Sequence, residues 1–153
     1  MKSPNHIAPH ITTGAAGEKL AEEYLRKRGF HTVARNWRPK GRARSLELDL
    51  IGEWEGYLVF TEVKTRRPSY DEGPDESPDF PPALKNFSLA KQKNMVKAAK
   101  AYLTEHKVWD KACRFDLVCI TLLPGNEPLV EHYANVIELG QTLDSGNASW
   151  QPW

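Results

Sequence analysis

Cysteine is nearly absent, since only Cys113 and Cys119 occur in 153 residues. Two thiols are too few for a disulfide framework and lack the paired spacing of a zinc site, so both read as small buried apolar residues. Long hydrophobic runs are missing too. Nothing approaches the roughly 18 apolar residues of a membrane span, and Met1 to Thr13 holds no apolar segment of the kind a secretory signal needs. The expectation is a cytoplasmic protein with no membrane partner. Charge of one sign is not in excess either: 21 basic and 20 acidic side chains leave a formal net charge of +1. Any phosphate-binding surface must therefore come from local segregation of charge.

What is present suits a folded protein. Hydrophobic residues make up 40% and charged residues 27% of the chain, an ordinary soluble composition, and the length allows one domain. The chain divides into a flexible N-terminal tail over 1–13, a domain over 14–139 and a polar C-terminal tail over 140–153.

Thr12 or Thr13 can cap a helix that runs to about Arg28 and stops at Gly29. Within it Gly17, Leu20, Ala21, Tyr24 and Leu25 form an apolar stripe at helical spacing. Phe30 to Trp37, rich in β-branched and aromatic residues, predicts a first strand, followed by a basic turn region from Arg38 to Arg44. Ser45 to Ile51 alternates, which puts Leu46, Leu48 and Leu50 on one strand face and Glu47, Asp49 and Ile51 on the other. Gly52 to Gly56 reads as a turn. Tyr57 to Arg66 predicts a third strand with Leu58, Phe60, Glu62 and Lys64 on a single face.

Residues 68–87 begin with a run of proline and acid, including Asp71, Glu72, Asp75, Glu76 and Asp79, and read as a mobile loop. Ser88 can cap a second long helix ending near His106, with Leu89, Gln92, Val96, Ala99 and Leu103 inward and Lys93, Lys97 and Lys100 outward. Arg114 to Leu122 and His132 to Leu139 complete the strands. The order helix, three strands, helix, strand, strand predicts an α/β layered domain, a central mixed sheet flanked by helices.

The chemistry sits in Glu47-Leu48-Asp49 and Glu62-Val63-Lys64. Two strands joined by a short hairpin would set Asp49 and Glu62 side by side, about 5 Å apart. Carboxylates that close repel unless a cation lies between them. Mg²⁺ suits the place, because it takes one or two carboxylates and fills its other positions with water and phosphate oxygens. The Val63 carbonyl is a further candidate ligand. Lys64, two residues along the same face, can position or help deprotonate a water that attacks a phosphate.

The chain resembles the YraN-like proteins, small bacterial relatives of Holliday-junction resolvases in the restriction-endonuclease-like superfamily. The resemblance covers most of the chain. It rests on Gly17-Glu18 with Ala21 and Tyr24-Leu25, Gly29-Phe30, Arg35-Asn36-Trp37-Arg38, Glu47-Leu48-Asp49-Leu50-Ile51, Val59 to Arg66, and Arg114-Phe115-Asp116-Leu117-Val118. It implies a restriction-endonuclease-like fold and a Mg²⁺- or Mn²⁺-dependent endonuclease acting on DNA, branched or structured DNA included. Asp49 and Glu62 would be the metal-binding acids, Lys64 the catalytic lysine, and Glu18 the helical glutamate that completes the site. The two-fold dimers of junction-cutting relatives imply a homodimer here. Two departures stand out: Leu46 occupies the place of the family's usual glycine, and the loop after Arg66 is longer and more acidic.

Each residue has a plainer reading beside this one. Glu62 and Lys64 would alone be an exposed strand edge, Glu47 a solvent-facing acid, and Glu18 a first-turn acid complementing the helix dipole. Arg114 and Asp116 read as an ion pair supporting the sheet. Lys93, Lys97 and Lys100 are either a solvated face or, with Arg35, Arg38, Lys40, Arg42, Arg44 and Arg66, a stripe tracking phosphates. Trp37 is either a platform for an unpaired base or a buried sheet tryptophan. Two functions remain at this point: a metal-dependent DNA nuclease, favoured by intact Asp49, Glu62 and Lys64, and a non-catalytic nucleic-acid or protein-binding module that keeps the fold.

Overall fold

The structure is a computed structural model that describes residues 13–42, 46–68, 84 and 86–137. The expected tails and most of the 68–87 loop lie outside these residues. Helix α1 (Thr13–Arg26) is followed by strands β1 (His31–Trp37), β2 (Leu48–Trp54) and β3 (Tyr57–Arg66), helix α2 (Leu89–His106), and strands β4 (Cys113–Thr121) and β5 (Leu129–Tyr133). The sheet runs β1-β2-β3-β4-β5. Only β3 and β4 are parallel, with α2 on the connection between them, and every other neighbouring pair is antiparallel.

Two hydrophobic clusters lie on opposite faces of this sheet. Ala21 and Leu25 of α1 close over Phe30, Leu50, Val59, Val118 and Ile120. On the other face Met95, Val96, Ala99, Tyr102 and Leu103 of α2 close over Ile51, Leu58, Phe60, Phe115 and Leu117. The result is the layered α/β arrangement with a central mixed sheet that the order of elements predicts. Helix α2 begins at Ser88, whose side chain accepts from the Lys91 N–H at 3.1 Å. The expected ion pair at the sheet is present: Arg114 donates two hydrogen bonds of 2.9 Å to fully buried Asp116, which also meets His132 at 2.8 Å and the Asn135 N–H at 3.0 Å.

Four local expectations are corrected. Gly52 is not a turn residue but lies inside β2, because the Phe30 ring fills the space where a Cβ would stand, 2.2 Å from the nearest ring atom. The turn is instead the two residues Glu55 and Gly56, whose φ of 51° and 84° match the twist of a tight hairpin pairing Trp54 with Tyr57. The three leucines do not share a face: Leu46 and Leu48 join the cluster under α2 whereas Leu50 joins that under α1. The alternation breaks at Asp49, where β2 no longer ladders with β3 and lies opposite Asn36, left-handed at φ 47°. Leu89 is 49% exposed rather than inward, and its place is taken by Met95 and Tyr102. The last strand is Leu129–Tyr133, because the chain turns out of the sheet at Asn135.

Candidate metal and nuclease site

The β2–β3 ladder runs from Trp54↔Tyr57 to Leu50↔Thr61 and stops there. Beyond it the strands separate, and the Asp49 side chain takes over, its Oδ2 accepting the Val63 N–H at 2.8 Å. A short polar side chain thus satisfies a donor that the ladder has released. On the other side of β2, Asn36 of β1 donates to Glu18 Oε2 at 2.9 Å and to Glu47 Oε1 at 3.2 Å. Arg38 completes the frame with a 2.6 Å hydrogen bond from its Nε to Glu47 Oε2 and a second contact from the same guanidinium.

These bonds bring Glu18, Glu47 and Asp49 together, with one carboxylate oxygen from each lying within 4.8 Å of the others. Glu18 reaches the strands because α1 approaches very closely at Gly17, where a Cβ would stand 1.7 Å from Thr65 Oγ1. It lies beyond the first turn of α1, so a helix-dipole role does not account for it. Glu62 adds a fourth acid. It is 6% exposed, its Oε1 is 3.2 Å from Lys91 Nζ, and its Oε2 has no hydrogen-bond partner among the described residues.

Burial, and then the charge of neighbouring Glu62, push the Asp49 carboxyl up from 3.8 to about 7, against the lowering effect of the Val63 N–H and of Lys91. Glu18 is raised as well, chiefly by burial, with Asp49 and Glu47 adding to it and the Asn36 hydrogen bond opposing. Acids crowded like this hold protons or a cation. The donors are all oxygen, which fits a hard divalent ion such as Mg²⁺ or Mn²⁺ better than a soft one, and buried Glu62 adds a carboxylate oxygen that has no hydrogen-bond partner among the described residues.

Of the residues singled out in the sequence, the fold brings Glu18 and Asp49 together, with the Val63 N–H on Asp49, while Glu62 influences the Asp49 carboxyl from outside the set whose oxygens lie within 4.8 Å of one another. Lys64 stands next along β3, half-buried, lining a hollow of about 250 Å³ with Arg66, Asn86, Cys119, Thr121 and Glu131. Arg35 pairs with Glu22 at 2.6 Å and Arg38 with Glu47, whereas Lys40 is exposed after β1. Lys93, Lys97 and Lys100 lie on the side of α2 turned from its buried residues, roughly opposite Lys91 at about 100° per residue. Among the described residues neither Lys93 nor Lys97 pairs with the carboxylates. Arg44 lies outside the described residues. Trp37 packs edge-on against Tyr102 with ring centres 5.2 Å apart.

Sequence reasoning did not find Asn36 and Lys91, and it left Glu47 in doubt. Asn36 carried a weak signal, since asparagine tolerates the left-handed conformation it adopts. Lys91 carried another: the first turn of α2 holds no acid, and a lysine there opposes the helix dipole.

A family model described as "Uncharacterised protein family UPF0102" matches residues 17–120. A UPF0102 protein of Nitratidesulfovibrio vulgaris (strain DP4) is 39% identical over 141 residues, covering 92% of this chain and 95% of the relative. A UPF0102 protein of Lawsonia intracellularis is 37% identical over 140 residues, covering 92% and 96%. One from Geobacter sulfurreducens is 36% identical over 126 residues, covering 82% and 88%.

Proposed function

The chain belongs to the uncharacterised protein family UPF0102, the YraN family, and on that premise we propose that it is a divalent-metal-dependent endonuclease hydrolysing phosphodiesters in DNA, branched or structured DNA among its substrates. One observation carries the reading: carboxylate oxygens of Glu18, Glu47 and Asp49 lie within 4.8 Å of one another, and the Asp49 carboxyl, raised by burial, is further pushed up by buried Glu62, whose Oε2 has no hydrogen-bond partner among the described residues. So many acids cost stability unless they serve a cation.

Asp49 and Glu62 would hold Mg²⁺ or Mn²⁺, with the Val63 carbonyl as a further ligand and Glu18 and Glu47 flanking them. The bound ion would supply Lewis acidity towards a phosphate oxygen and a water of lowered pKa. The Val63 N–H fixes the Asp49 carboxylate, and Asn36 and Arg38 fix Glu18 and Glu47, so the donors are oriented before substrate arrives. Lys64 positions the attacking water or the scissile phosphate. Lys40 and Arg66, with the outer lysines Lys93 and Lys97, add attraction to the backbone that is independent of sequence. No helix among the described residues is long and apolar enough to cross a membrane.

Incubation of the purified chain with labelled branched, flap and linear DNA, in Mg²⁺ or Mn²⁺ against chelator, tests the reading. Metal-dependent cleavage is expected, and Asp49→Ala and Glu62→Ala should each reduce it by more than the roughly 10–100-fold that orienting partners cost. Cleavage that ignores chelator and survives both substitutions would overturn it. A second reading, a non-catalytic nucleic-acid-binding module, is favoured by the pairing of Glu47 with Arg38 and of Glu62 with Lys91, which neutralises two of the acids internally. It predicts salt-dependent DNA binding with no turnover.

A further inference from the structure

The lysine in contact with the carboxylates is not the one on β3. Among the described residues no ion pair or hydrogen bond joins Lys64 to an acid, whereas Lys91 Nζ lies 3.2 Å from Glu62 Oε1. Lys91 occupies the first turn of α2, where a positive side chain is locally unfavourable. Its own N–H is already taken up by the Ser88 cap, so the backbone holds the residue in place and the flexible side chain alone makes the contact with Glu62. Glu62 is 8% and Lys91 28% exposed at the side chain. The acid is fixed inside the sheet and the amine reaches solvent.

Resting on the nuclease reading above, we propose that Lys91 is a tethered counter-ion: its ammonium neutralises Glu62 until a divalent cation displaces it, and it then contacts a backbone phosphate of the bound nucleic acid. The charges require both halves. A divalent ion between Asp49 and Glu62 repels an ammonium held on Glu62 Oε1, so the two compete for one oxygen. An ammonium that leaves Glu62 stays on its tether beside the site, where each incoming phosphate brings a negative charge. Lys91 is thus a positioning group in the resting protein and a substrate-contacting group in the loaded one. The role is separate from that of Lys64, which lines the neighbouring hollow.

Two measurements on the full chain test this. The first is Mn²⁺ affinity at pH 8, read by electron paramagnetic resonance of free Mn²⁺. Lys91→Gln removes the competing charge but keeps a hydrogen-bond donor for Glu62, and should bind Mn²⁺ up to about fivefold tighter, the equivalent of one ion pair of modest strength. Lys91→Arg, which keeps the charge, should bind as the native protein does. The second is binding of labelled DNA in Ca²⁺ and in chelator. Lys91→Gln should weaken binding several-fold in Ca²⁺ and leave it unchanged in chelator, where the native ammonium is already engaged. A general loss of folding would move both affinities down together, and the arginine variant guards against that outcome.

Weaker Mn²⁺ binding by Lys91→Gln, or an equal loss of DNA affinity in Ca²⁺ and chelator, overturns the displacement while leaving the metal site intact. Absence of Mn²⁺ binding by the native protein, or binding that survives Asp49→Asn, overturns the metal reading and the displacement with it.

Discussion

Replacing Asp49 by asparagine removes the charge at the centre of the carboxylate cluster and little else. The amide oxygen can still accept the Val63 N–H, which Asp49 Oδ2 accepts at 2.8 Å. The Asp49 carboxyl is pushed up from 3.8 to about 7, first by burial and then by Glu62. Between those values the folded chain keeps a proton that the unfolded chain has lost. Stability of the metal-free protein therefore falls as pH rises through that window. From pH 5 to pH 8.5 the native protein crosses about two units of it, and at about 1.4 kcal/mol per unit Asp49 costs about 3 kcal/mol. A side-chain amide does not titrate, so the Asp49→Asn variant escapes that loss. Thermal melts at the two pH values in chelator should show a native decline larger than the variant's by roughly 9 °C, at about 3 °C per kcal/mol for a domain of this size. Mg²⁺ should restore native stability at pH 8.5 by occupying the place the proton left, and should do nothing for the variant. An equal pH decline in both proteins, or equal stabilisation of both by Mg²⁺, would refute the assignment of Asp49 as the proton- and cation-holding acid.

Two further outcomes follow from packing and from the second charged network. Gly17→Ala places a methyl 1.7 Å from Thr65 Oγ1, so it should destabilise the fold by about 1–3 kcal/mol, and Thr65→Ala in the same chain should recover part of that in urea titrations. Asp116→Ala leaves Arg114 and His132 without their shared partner and should cost about 3–5 kcal/mol while leaving Mn²⁺ affinity unchanged in the folded protein. The Asp116 carboxyl is held low by His132 and Arg114 against the cost of its burial. Its stabilising contribution is thus present above the ordinary carboxylate range and lost as pH falls through its lowered value, and the variant should show a flatter acid limb.

Much of the architecture is readable along the chain because its signals are local. The Gly29 stop, the Ser88 cap and the β-branched run from Tyr57 to Arg66 each need only their own neighbours, and α1, α2 and β3 fall where they predict, with ends shifted by a residue or two. The misreadings share one cause. Gly52 reads as a turn until Phe30, far away in sequence, is seen to occupy its missing side chain. The leucine alternation holds until Asn36 and the end of the β2–β3 ladder interrupt it. The last strand is mis-set because Asn135 leaves the sheet to bond Asp116.

The candidate site divides in the same way. By itself the sequence pointed to the acids, since two strands joined by a short hairpin bring Asp49 and Glu62 near each other, although the two-residue turn and the register ending at Leu50↔Thr61 came from the structure. Only the tertiary structure decided that Glu47 joins Glu18 beside Asp49, that Asn36 bridges them, and that the amine on Glu62 comes from α2 rather than from β3. Strand pairing transmits position along the chain by a fixed repeat. The approach of a helix to a sheet is fixed instead by which side chains leave room for it, as Gly17 does against Thr65.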